Sequence, residues 1–275
     1  MSFDKLTAIN SQKLEKKTIQ IPVESNFLCL RSLNPNRTRF EVEYSLEKGS
    51  CTNSFLFRSP TNINQNSEEI LLIHPPGLTF EKEFLETFDK LIVNKTCQLK
   101  LVMGHINPNK VAFVKKLNMQ YRNITIICSN PGAKLLNEIW HQKKPNADQS
   151  SKIEKEESIP KIQIIKQIET ITLSSNYELT FIPAPTARWP GGLIVFEKQT
   201  GLLMSDKLFG AHIYEENWAE INTSKTEEER RHYFDCLMAP MSNQVNSIIE
   251  KLEEFDINSI IPGHGPAISG SWRSL

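Results

Sequence analysis

The sequence predicts a mixed α/β (α+β) chain folded as an αββα sandwich, with two sheets back to back and helices on both outer faces. Two observations carry this expectation. Strand-like runs pass into alternating strand and helix patterns in the first half, and strands pass into helices again in the second. The length agrees: 275 residues, 39% hydrophobic and 23% charged, can bury one large core or two modest ones, so residues 1–275 read as one unit.

In the first half, TIQIPV (18–23), RFEVEY (39–44), CTNSFLF (51–57) and EEILLIH (68–74) are rich in β-branched and aromatic residues and separated by polar turns. They predict an antiparallel start to a sheet. The pattern then changes to a helix over 81–93, a buried strand over 98–104, a helix over 109–119, a strand over 124–129 and a helix over 131–142 opened by Pro131. The stretch 143–160 is polar, highly charged and free of aromatic residues, which predicts an exposed insertion. Strands resume over 161–167, 178–185, 191–197 and 201–206, with a hairpin turn at 197–201. Helices over 227–238 and 242–255 precede a short strand, NSIIPGHG, ending near Gly265. A doubly wound dinucleotide-binding sheet is the rival architecture, but no G-x-G-x-x-G follows any strand. In the sandwich, the loops GHINPNK, TARWPGG, SDKLFG and PGHGP meet at one edge.

Composition excludes several classes of function. The 32 basic and 32 acidic residues cancel, so the broad positive field that nucleic acids or anionic membranes need is missing. No run approaches the roughly 18 apolar residues of a membrane span, and the start lacks the apolar core of a signal peptide. A cytoplasmic protein without membrane insertion is expected. The five cysteines are widely spaced and never form C-x-x-C, which points to reduced, structural thiols.

The chemistry rests on four loops. His105 follows a buried strand, a place more often held by a hydrogen-bonded structural residue than by a ligand. His264 lies between glycines, where an imidazole can approach a site closely. Asp206 ends a strand, a position that alone reads as a helix cap. TARWPGG has no chemistry of its own, and Trp189, Phe209 and Trp218 read first as core.

Taken together, FEVEYSLEKGSCTNSFLF, the LLIHPPG region, GHINPNK, CSNPGA, FIPAPTARWPGGLIVFEKQTGLLMSDKLFGAH, RRHYFDCLMAP and PGHGP resemble the metallo-β-lactamase-like domain of flavodiiron proteins. The resemblance is nearest to the diflavin members of cyanobacteria and runs from about residue 39 to the end. It implies a metallo-β-lactamase-like αββα sandwich with a di-iron site. Iron-loaded relatives carry H-x-E-x-D-H in the first loop, a His before Trp-Pro, a bridging Asp and a final His. By that pattern His105, Asp206 and His264 are the retained ligands. Asn107, Asn109, Lys110 and Arg188 stand where a Glu, an Asp and two His would be, and His74 stands where relatives carry an Asp before Pro-Pro. Three ligands of seven remain. Neutral amides are poor ligands and the two cations repel a metal, so a metal-free pocket is expected, with Arg188 or Lys110 paired to Asp206 in place of iron. Such a pocket would carry net positive charge and could suit an anion such as chloride.

The resemblance also implies a complex that passes electrons from a reduced nicotinamide nucleotide through flavin to dioxygen, giving water. A flavodoxin-like domain with FMN and a flavin-reductase-like domain follow this module in the family; this sequence ends at SGSWRSL without them, as expected of a chain cut from a longer protein. The degenerate pocket also fits a second role, a non-catalytic subunit in a homo- or hetero-oligomer with an iron-loaded flavodiiron relative and its flavin-bearing domain. A β-lactamase-like hydrolase would need an H-x-H-x-D-H zinc loop, which is missing.

Overall fold

The computed structural model describes residues 14–40, 44–59, 68–142, 158–219, 224–269 and 272. The first strands are β1 (Lys17–Glu24) and β2 (Phe27–Asn34), joined by a tight turn in which Asn26 takes φ 61°, a left-handed conformation that Asn tolerates. Next come β3 (Arg39–Phe40) and β4 (Tyr44–Ser45), which pair with each other, then β5 (Ser50–Ser59) and β6 (Glu69–Ile73). The expected single strand over 39–44 is therefore a short ribbon, with 41–43 outside the described residues. Helix α1 (Glu81–Leu91), β7 (Gln98–Val102), α2 (Pro108–Gln120), β8 (Ile124–Ser129), α3 (Asn130–His141) and β9 (Lys161–Ile165) complete the first half. Most of the predicted insertion, 143–157, lies outside the described residues.

The first sheet has seven strands in the order β1-β2-β5-β6-β7-β8-β9, antiparallel as far as β6 and parallel from β6 to β9. The second half adds β10 (Glu169–Thr172), β11 (Glu178–Pro183), β12 (Leu193–Glu197), β13 (Leu202–Asp206), α4 (Ser224–Tyr233), α5 (Ser242–Leu252), β14 (Ser259–Pro262) and β15 (Ile268–Ser269). Its six strands run β10 to β15 in sequence order, with β13 and β14 parallel. The predicted hairpin turns at Gly201, φ 67°, where only a residue without Cβ fits comfortably. The helix expected over 227–238 ends early: α4 stops at Tyr233, widens into a π turn over Phe234–Met238 and passes through a 3-10 turn at Ala239–Met241 before α5. Pro240, which lacks an N–H and restricts its predecessor, sits in that junction.

Three apolar layers define the sandwich. Phe84, Phe88, Val111, Phe113, Leu117 and Leu136 of the first three helices pack on Leu30, Leu56, Ile70, Leu72, Leu99 and Ile126. Their strand neighbours point the other way, so Phe27, Phe55, Phe57, Leu71, Ile73 and Val102 meet Leu179, Phe181, Leu193, Val195, Met204 and Ile261 between the sheets. On the far face, Ile182, Ile194, Leu203 and Ile260 take Leu237, Val245, Ile248 and Leu252. The order is thus helices, sheet, sheet, helices.

Candidate functional site

The carboxyl ends of β6, β7, β13 and β14 lead into one edge of the sandwich and deliver His74, His105, Asp206 and His264. The open carboxyl edge of parallel strands is where α/β sheets hold ligands. Backbone details bring these side chains together. Asp206 has φ 50° and follows a register irregularity between β13 and β14, which turns its side chain away from the strand's alternation. His74, at φ 56°, is tied by its N–H to Val102 O at 2.8 Å. At Gly104, a Cβ would collide with the His74 ring and sit 2.8 Å from Asp206 Oδ2, so glycine is required for the three to converge.

A buried polar frame holds the last loop. Arg31, fully buried, donates to Asn53 Oδ1 at 2.8 Å and Gly265 O at 2.7 Å, and Asn53 Nδ2 donates to Pro262 O and Gly265 O at 2.7 and 2.9 Å. His264 then takes a fixed tautomer. Its Nδ1 lies 2.7 Å from Cys51 O, and a carbonyl only accepts, so Nδ1 carries the proton and Nε2 presents its lone pair. That lone pair faces Lys207 Nζ at 3.4 Å. Lys207 also lies 4.6 Å from the centre of the Phe40 ring and 5.3 Å from that of Trp189.

His105 Nδ1 lies 2.7 Å from Asp206 Oδ2, both residues being at most 4% exposed. The carboxylate accepts and the imidazole donates. Burial pushes His105 down to about 3 and His74 to about 4, against the pull of Asp206. Burial opposes the charged form of Asp206, but His105, His74 and Lys110 together hold its carboxyl well below the usual range. Burial also lowers His264 and His212, with Lys207 adding to both and His212 to His264. The site therefore pairs neutral imidazoles with an ionised carboxylate. The resulting cavity, about 70 Å³, is lined by Arg37, Lys110 and Lys207 as well as by Asp206, His74, His105, His264, Asn107 and Asn109.

Of the residues singled out in the sequence, His105, Asp206, His264, Asn107, Asn109 and Lys110 meet in this cavity, and Arg188 does not line it. The Arg188 guanidinium lies 5.8 Å from the Trp189 ring centre and its backbone N–H points at Met241 Sδ, 3.3 Å away. The expected pairing of Arg188 or Lys110 with Asp206 is not made. Among the described residues the close contact of Asp206 is the hydrogen bond from His105. Trp189 is buried in the outer core, as its type suggested. Lys207, Arg37, His212 and Gly104 were missed. The signal for Lys207 was its place beside Asp206 in SDKLFG, overlooked because a Lys after a strand usually points to solvent.

Comparison with known proteins gives consistent results. The profile described as ODP family beta lactamase matches residues 57–265. Diflavin flavoprotein A 6 of Nostoc sp. is 36% identical over 94% of this chain and 41% of its own length. Diflavin flavoprotein A 3 of Synechocystis sp. is 33% identical over 94% and 40%. The chain thus spans about 40% of the length of these relatives. Among solved structures, a metal-soaked Flv1 flavodiiron core from Synechocystis sp. aligns with TM-score 0.81 and 32% identity over 94% of this chain and 59% of that one. A fragment of diflavin flavoprotein A 5 from Nostoc sp. aligns at 0.79 and 30%, over 95% and 93%. Rubredoxin oxygen:oxidoreductase from Desulfovibrio gigas, 19% identical with TM-score 0.76, shares the fold.

Proposed function

The chain belongs to the ODP family of beta-lactamase-like domains found in flavodiiron proteins, and from that footing we propose that it is the module of an oxidoreductase complex whose di-iron pocket holds no iron. The observation that carries this reading is the Lys207 ammonium set 3.4 Å from the lone-pair nitrogen of His264, the atom that would bind a metal. The remaining donors fit a di-iron centre no better. His105 directs Nδ1 to Asp206, and Lys110 adds a second buried ammonium. A divalent ion would have to displace cations from a cavity that already stabilises its carboxylate.

As in its longer relatives, this module would work beside a flavin-bearing domain with FMN, in a cytoplasmic complex that carries electrons from NAD(P)H to dioxygen and releases water. No described helix is long and apolar enough to cross a membrane. The cation-filled pocket favours a second reading of the module's own part: a partner subunit in a homo- or hetero-oligomer, with the iron chemistry done by an iron-loaded relative. The test is NAD(P)H-dependent oxygen uptake by the full-length protein, alone and mixed with an iron-loaded homologue. Uptake is expected only in the mixture. Rapid uptake by the iron-analysed protein alone would overturn the reading.

A further inference from the structure

Lys110 is buried at a double cost. It is 7% exposed, and its ammonium makes no hydrogen bond or ion pair with the described residues; only its backbone N–H is engaged, by the Asn107 side chain at 2.9 Å. Asp206 is its counter-charge without touching it, and burial still pushes the Lys110 ammonium down from its ordinary value. Lys110 also occupies the third position of α2, beside the positive end of a thirteen-residue helix whose first turn holds no acidic residue. Helix starts favour negative charge, so a cation there is opposed by the helix as well.

Among the described residues lining the cavity, cations outnumber the one carboxylate. Lys207 and Arg37 line the cavity with it, and Asp206 gives Oδ2 to His105. We propose that the cavity is a binding site for a small inorganic anion, held between Lys110, Lys207 and the amino end of α2. Such an anion would give the Lys110 ammonium a hydrogen-bonding partner and would lie beside the positive end of α2. Size restricts the ligand. A water needs roughly 10–15 Å³ of such space, so about 70 Å³ holds a small inorganic anion, a halide or an oxyanion such as nitrate or bicarbonate.

This inference rests on the metal-free reading above, and its test separates the two. The 275-residue chain, assayed for metal content, is titrated at constant ionic strength in gluconate buffer with sodium bromide, nitrate or bicarbonate while thermal stability is followed. At least one of these anions is expected to raise the midpoint saturably, and comparison of the three distinguishes a halide from an oxyanion. Lys110→Met should weaken that response about tenfold or more, with Lys110→Gln as a second variant should the first fail to fold, and Lys82→Met on the exposed face of α1 should leave it unchanged. Metal-free protein that ignores all three anions, or responds equally in the Lys110 variants, would overturn this inference alone. Iron-loaded protein would overturn the metal-free reading and this inference with it.

Discussion

At the scale of single residues, the site is a balance of buried charge around Asp206. Replacing it by Asn keeps the shape and an acceptor for His105, 2.7 Å away, but removes the counter-charge to Lys110. Asp206→Asn is expected to lower stability by about 3 kcal/mol in urea unfolding, since breaking a buried pair leaves uncompensated charge. The imidazoles give a second expectation. His74, His105, His212 and His264 are held neutral in the fold, at about 4 and about 3 for the first two. Their unfolded value is near 6.5, so the unfolded chain gains protons first and their contribution is lost as pH falls below that value. Each should cost on the order of 1 kcal/mol at pH 5.5. Asp206, lowered instead, adds a loss only below its usual carboxylate range. Urea midpoints should therefore fall steeply between pH 7 and 5.5, and a flat profile there would contradict the neutral assignment. His105, Asp206 and His264 were legible because each follows a strand in a recognisable loop. Arg188 was not expected to stand apart from the cavity lining, yet its guanidinium lies 5.8 Å from the Trp189 ring centre and does not line it.

Among the elements, α2 links the site to the helix layer. Asn107 is its cap, accepting from Lys110 N–H at 2.9 Å, and Pro108 supplies the first turn. Asn107→Ala should cost about 1 kcal/mol, measurable by denaturant midpoint, with no change expected for the neighbouring exposed Asn109→Ala. The residue that replaces a ligand in the family pattern thus has a structural task of its own. The alternating helices and strands from α1 to α3 were readable from their periods, because each buries one face on the same sheet. β2 was not: its Arg31 and Ser32 are fully buried, so FLCLRSLN lacks the alternation that marks a half-exposed strand. The break after α4 was hidden in a run that still looks helical, where Pro240 and the π turn redirect the chain.

Over the whole molecule, the two sheets are joined by apolar packing and by the Arg31–Asn53 frame, which reaches from β2 and β5 to the loop after β14. Asn53→Ala should remove several buried hydrogen bonds at once and cost about 2–4 kcal/mol, with the loss read from urea unfolding. Phe57, stacked on Phe27 at 4.0 Å between the sheets, should cost about 3–5 kcal/mol as Phe57→Ala and leave the pocket's chemistry untouched. The order of layers was legible because strands and helices recur in two blocks. The polar frame was not, since residues 31, 53 and 265 lie far apart in the sequence and meet only in the fold.

The central claim is that this fold keeps the shape of a di-iron site while filling it with cations. The most direct measurement is the iron content of the chain after anaerobic reconstitution with ferrous iron, beside the variant Asn107→Glu, Asn109→Asp, Lys110→His, Arg188→His. The unmodified protein is predicted to bind far less than one iron per chain, and the fourfold variant to bind more, though incompletely, because Lys207 remains and Arg188 lies outside the cavity lining. Near-stoichiometric iron, two per chain, in the unmodified protein would contradict the account.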